Sequence, residues 1–135
     1  MGGVRDQSKL PSILMTVRNL VIKLTFGAEA AERCAQAFTV AAVAAASGAH
    51  VSLWLTGESS WFALPGRAED FSLPHAPPLS DLLASVLASG SVSLCTQCAA
   101  RRNITPPDTL EGVRIAGAAT FVAEVCADGA QALVY

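Results

Sequence analysis

Five short apolar runs, separated by stretches of helical character, leave this chain few ways to fold. Residues 20–25 (LVIKLT), 51–55 (VSLWL), 91–94 (SVSL), 113–116 (VRIA) and 130–135 (AQALVY) are rich in branched side chains. Turn residues close three of them or lead into them: Phe26-Gly27, Thr56-Gly57 and Asp128-Gly129. Between the runs, residues 28–47, 79–88 and 118–127 carry helical spacing. Strands this apolar need cover on both faces, and strands that alternate with helices join in parallel through crossovers. The expected fold class is therefore α/β: a single-domain, three-layer α/β/α sandwich with a mostly parallel five-stranded sheet. Residues 1–18, which mix Gly, Pro and charge, read as a flexible N-terminal arm, and residues 19–135 as the domain. The order of the strands is not written in such a pattern.

The balance of residue types supports a packed core, with 52% hydrophobic and 15% charged residues among 135. Nine basic residues face eleven acidic ones, a formal charge of −2, which makes no electrostatic case for nucleic acid or an anionic membrane as partner. No run approaches the roughly 18–20 consecutive apolar residues of a spanning helix, and Ile13-Leu14-Met15 is too short for a signal-peptide core. The expected location is cytoplasmic, where thiols stay reduced. Neither GxGxxG nor GxxxxGK[ST] nor GxSxG occurs, so nucleotide binding and serine hydrolysis have no support, and no cofactor is expected.

The chemistry concentrates in residues 92–103, VSLCTQCAARRN. If an apolar strand feeds a short helix here, Cys95 lies at the carboxyl end of the strand and on the first helical turn, where open α/β sheets put their active groups. Unpaired N–H groups there favour the thiolate, the reactive form of cysteine. Cys98, three residues on, shares that face. The pair can close as a disulfide, exchange with one, or hold a metal, and the residues leave all three open. A zinc site needs four ligands, or three and a water, and neither His50 nor His75 stands at ligand spacing, so no metal is expected. Cys34 and Cys126, on helices among Ala, Val and Phe, read as core filler.

Around this turn, Arg101 and Arg102 are candidates to hold an anionic sulfur donor or steady a thiolate, the plainer reading being a solvated helix end. Residues 58–78, with Pro65, Pro74, Pro77 and Pro78, form a long irregular connection of the kind that serves as lid or linker. Within it Trp61 and Phe62 suggest a short helical turn acting as lid, interface patch or packing, and His75 is a candidate base folded over the cysteines. The second half of the first helix, residues 41–46, is apolar nearly all round, which asks for a second covering surface, most simply another copy of the chain.

Taken in order, the apolar strand, Cys95, Ala99-Ala100-Arg101-Arg102, an acidic Pro-containing loop and the closing VRIAGAATFVAEVCADGAQALVY resemble the DsrE/DsrF/DsrH family. GAHVSLWLTGESSW and the Ala-rich first helix match it more loosely, and the resemblance spans about residues 20–135. It implies a parallel five-stranded sandwich that assembles as dimers, trimers or hexamers, and a place among small sulfur-relay proteins. It also implies a cysteine after the third strand that takes a sulfane sulfur as a persulfide and hands it on, with sulfur donor and acceptor proteins as partners. Cys95 stands at that position, with Arg101 and Arg102 at the family spacing. Cys98 departs from the single-cysteine relay pattern.

The expected function is sulfur transfer as a persulfide carrier, or related thiol-redox work, through Cys95, with Cys98 either resolving the persulfide or idle. The alternative is a non-catalytic oligomeric module that binds a small molecule or protein under the 58–78 loop. A peroxide-reducing thiol enzyme ranks third, for want of a recognisable acid or base.

Overall fold

The computed structural model describes residues 18–135; all but the last residue of the expected arm therefore lies outside the described residues. Five strands are present, β1 Asn19–Leu24, β2 His50–Leu55, β3 Ser91–Cys95, β4 Val113–Ala116 and β5 Ala130–Val134. The helices between them are α1 Ala31–Ala46, α2 Leu79–Ser89, α3 Thr96–Arg101 and α4 Ala118–Val125. The sheet runs β4-β3-β2-β1-β5 and every neighbouring pair is parallel, which is the α/β architecture expected.

Alternation along the strands divides the sheet into two unlike faces. Ile22, Leu24, Val51, Leu53, Leu55, Val92 and Leu94 form the apolar face, packed against Phe38 and Ala41 of α1 and Leu79, Leu83 and Val86 of α2. Phe38 has no exposed surface and meets Phe62 edge to face at 5.8 Å, and Phe62 meets Phe71 in the same way at 5.8 Å. The aromatic chain fastens the 58–78 connection onto the core. That connection is accordingly structured: a 3₁₀ turn over Gly57–Ala63, then a single helical turn at Arg67–Asp70.

α2 packs along α1 and supplies part of the second surface that its apolar half asked for; Ala41 and Ala42 are buried, but Val43 remains 59% exposed. A larger departure from expectation is Cys126. It lies just past the last turn of α4 and is exposed, whereas Cys34 is buried in the core as expected. The residue types around Cys126 promised burial, but α4 presents Ala118, Ala119, Val122 and Ala123 outward in the same stripe.

The other sheet face is polar at its centre. Ser52 and Trp54 of β2 both donate to Glu124 Oε1, at 2.5 and 3.0 Å. Arg114 donates through Nε to Ser93 Oγ at 2.5 Å and pairs with the second carboxylate oxygen of Glu124. Phe121 packs edge to face on Trp54 at 5.4 Å. One carboxylate thus ties α4 to β2 and β4, and through Arg114 reaches β3.

Burial pushes the Glu124 carboxyl up, but Ser52, Trp54 and Arg114 outweigh it and hold the group below its ordinary 4.5. A carboxylate depressed in the folded state contributes stability above the unfolded value and loses it as pH falls through the folded one. Melts between pH 6 and pH 2 should therefore show stability dropping below about 4.5 in the native sequence. In Glu124→Gln the curve should start lower and be flatter over that window; an unchanged slope would show that the network does not carry the acid sensitivity.

Candidate functional site

The carboxyl ends of β1, β2 and β3 meet at one edge of the sheet, and the loops that leave them build a single cluster. Cys95 ends β3 with extended geometry (φ −60°, ψ 129°) and is the residue before α3, half-buried. The chain turns helical at once, so Cys98 comes round one turn later and is buried at 8% exposure. Both thiols are free.

The turn after β2 closes over them. Gly57 N–H donates to Cys98 Sγ at 3.3 Å. Gly57 sits at φ +55°, and a Cβ there would lie 2.6 Å from Thr25 O, so only glycine lets this turn approach both β1 and the thiol. Its companion Gly27 is equally constrained, because a Cβ would meet the Glu58 carbonyl oxygen at 2.7 Å. Thr56 and Ser59 hold the turn in shape: Ser59 Oγ accepts from Thr56 N–H at 2.9 Å, and both hydroxyls donate to Leu24 O, at 2.8 and 2.9 Å. The next residue, Ser60, is wholly buried, and its hydroxyl has no hydrogen-bond partner.

Arg102 caps the cluster. It donates to Glu58 Oε2 at 2.8 Å and to the Cys98 carbonyl at 3.1 Å, with Trp61 stacked near its guanidinium at 5.9 Å. Trp61 also lies under Arg67 at 4.7 Å and donates to Glu58 at 3.3 Å. The side-chain bond to Arg102 is the main reason that the Glu58 carboxyl sits below its ordinary value.

These neighbours act on the two thiols differently. Burial pushes the Cys98 thiol up, but the Gly57 N–H, the adjacent Cys95 thiol and the Arg102 guanidinium bring it below its ordinary 9.0, and the Ser60 hydroxyl, though outside hydrogen-bond geometry, lies near enough to act weakly in the same direction. Cys95 instead donates weakly, to Gln97 Oε1 at 3.5 Å. Cys34 is the contrast. Burial, aided by Glu29, pushes it up to about 12, so it stays a neutral thiol.

Of the residues singled out in the sequence, Cys95, Cys98, Arg102 and Trp61 are brought together here. Arg101 points to solvent at the end of α3. His75, at φ +62°, lines a separate cavity of about 490 Å³ with Glu32, Gln36, Thr39 and Tyr135, and no residue of the cysteine turn shares it. Sequence reasoning missed Gly57, Glu58 and Ser60. The GES following an apolar strand was a visible turn signal; its pairing with a helix some forty positions later was not. Among the described residues, no group of three or more His, Cys, Asp or Glu side chains is arranged to hold a metal, and no helix is long and apolar enough to cross a membrane.

The sequence profile of the DsrE/DsrF-like family matches residues 19–134. The chain belongs to the DsrE/DsrF-like family. A further sequence relative is MJ0760 of Methanocaldococcus jannaschii, an uncharacterized protein 31% identical over 107 residues. The match covers 78% of this chain but 39% of MJ0760, so this DsrE/DsrF-like chain spans about two fifths of that relative's length. The fold is shared with the ychN protein of E. coli, at TM-score 0.72 and 15% identity over 89% of this chain and 100% of that one. It is shared too with MTH1491 of Methanobacterium thermoautotrophicum, a protein of unknown function, at TM-score 0.65 and 10% identity over 87% and 99%. At these identities the likeness concerns the DsrE/DsrF-like fold alone.

Proposed function

We propose that this protein transfers sulfur through a persulfide on Cys95, with Cys98 as the neighbouring thiolate that decides the fate of that sulfur. The reading rests above all on one observation: a half-buried Cys95 stands beside a Cys98 whose sulfur already receives a backbone N–H. The family, generally associated with sulfur relay, supports the same class of chemistry.

In the loading step the Cys95 thiolate attacks the outer sulfur of a donor persulfide. The donor S–S bond breaks, the donor leaves as a thiolate, and the outer sulfur stays on Cys95. Two exits follow. An acceptor thiolate can attack the outer sulfur and regenerate Cys95, which is carriage. Alternatively the Cys98 thiolate attacks the Cys95 sulfur, hydrosulfide leaves with the electron pair, and a Cys95–Cys98 disulfide remains for an external dithiol to reduce. A persulfide carrier suits a reducing, cytoplasmic setting. Assembly with further copies is supported by the outward stripe of α4, where Val122 is 53% exposed, and by Val134 of β5 at 66%.

Intact-protein mass spectrometry after incubation with a sulfane sulfur donor tests the reading. The native chain should gain one sulfur, Cys95→Ser should gain none, and Cys98→Ser should retain more than the native chain. Loading that persists undiminished in Cys95→Ser would overturn the role of Cys95, and a loss of two hydrogens without sulfur gain would make this a dithiol redox protein. The cavity beside His75 favours a second reading, a non-catalytic binding module. No mass change in any of the three forms would select it.

A further inference from the structure

Ser60 is the residue whose placement is hardest to explain by packing. It is wholly buried and its Oγ has no partner, and a hydroxyl left so is destabilising relative to one that is bonded. Its neighbour Ser59, equally buried, accepts from Thr56 N–H and has two carbonyls, Thr56 O and Leu24 O, within reach of its one proton. The shortage of partners therefore belongs to position 60 and not to the turn. Ser60 is borne by the 3₁₀ turn whose Gly57 N–H binds Cys98 Sγ, and that turn is locked from both sides by the Thr56–Ser59 capping pair and by the glycine contact with Thr25.

A neutral thiol with an N–H already upon it is a poor acceptor of a second hydrogen bond. A thiolate or a persulfide anion is a good one. We propose that Ser60 is a positioning residue of the cysteine site, its unpaired hydroxyl held in reserve to donate to the Cys98 sulfur when that sulfur carries negative charge. Gly57 N–H and Ser60 O–H then form a two-donor cradle that favours negative charge on the Cys98 sulfur. This rests on the sulfur-transfer reading for its purpose, since it equips Cys98 for attack on the Cys95 persulfide. The bond count of that step is unchanged: Cys98 gains the S–S bond, hydrosulfide takes the electron pair, and Ser60 keeps its proton.

The charged and titratable groups around Cys98 are Cys95 and Arg102 of its own segment and Glu58 of the turn, the last tied to Arg102. None is altered by replacing Ser60. The test is the rate of alkylation by iodoacetamide, followed residue by residue by peptide mass spectrometry from pH 5 to pH 10, on the native chain and Ser60→Ala, with thermal melts of both. In Ser60→Ala the pH profile of Cys98 should shift upward and its rate at pH 7 should fall about tenfold, the loss of one hydrogen bond to a charged group. The exposed Cys126 should react as before. The melting temperature should hold or rise, because an unpaired buried hydroxyl has been removed. An unmoved Cys98 profile overturns the proposal. So does a clear fall in melting temperature or a failure to fold, either of which would mark Ser60 as an ordinary packing residue. Alkylation involves no sulfane sulfur, so a cradle found intact in a protein that takes up no sulfur would overturn only the reading of function.

Discussion

Replacing Phe38 by alanine should cost about 3–5 kcal/mol of unfolding free energy, the range for truncating a fully buried aromatic side chain. Phe38 belongs at the upper end because it has no exposed surface and two layers depend on it. Its ring joins α1 to Phe62 and, through Phe62, to Phe71, so the cavity would open under the connection that carries the site. Domains of this size are stable by about 5–15 kcal/mol, and the melting temperature should fall by roughly 10–20 °C. Far-ultraviolet circular dichroism melts measure this directly. A loss under about 1 kcal/mol would mean that the 57–71 segment repacks freely and is not the fixed wall described above.

The second large effect is expected at Gly57, and it should be structural and chemical together. Alanine there meets two penalties: a positive φ, worth about 1–2 kcal/mol, and a Cβ placed 2.6 Å from the backbone oxygen of Thr25, the residue just after β1, which is itself hydrogen-bonded to Tyr135. Together they should cost about 2–4 kcal/mol. The turn relieves the clash only by lifting off β1, which withdraws the Gly57 N–H from Cys98, so Cys98 alkylation at neutral pH should slow as well. Gly66 supplies the control. It has φ +84° but open space around its Cβ position, so Gly66→Ala should pay the dihedral cost alone and leave Cys98 untouched. Equal melting temperatures for the two variants would refute the close-approach argument.

The sheet was legible because each strand is a short run of branched apolar residues whose neighbours in the sheet need no polar matching. Both faces of β2 could in fact be read from VSLWL: Val51, Leu53 and Leu55 point one way and Ser52 and Trp54 the other. What the pattern hid was the partner of that second face, since Glu124 lies about seventy positions away and looks like any solvated helix acid. The cysteine turn was legible in outline because a strand-to-helix junction fixes where Cys95 and Cys98 fall. The difference between them was not, for it comes from Gly57, Ser60 and Arg102, whose meeting is set by the order of strands. Arg102 read as a candidate anion ligand is largely spent on Glu58, a pairing across 44 positions that no local signal announces. Cys126 misled because small apolar neighbours signal burial only when something covers them, and α4 leaves that stripe bare.

The strand order also has a consequence for how the chain is made. β1 is translated first of the five strands and ends in the interior of the sheet, between β2 and the edge strand β5. Its pairing with β2 can form early, but its other edge waits for β5, with Thr25 and Tyr135 joined across 110 positions. Until then the nascent chain presents a row of unpaired N–H and C=O groups on an apolar strand, open to the same strand on a neighbouring ribosome. Closure over so long a separation is slow. A ribosome stalled before residue 130 should therefore hold a chain that draws holdase chaperones, and release of the last strand should be the event that frees it.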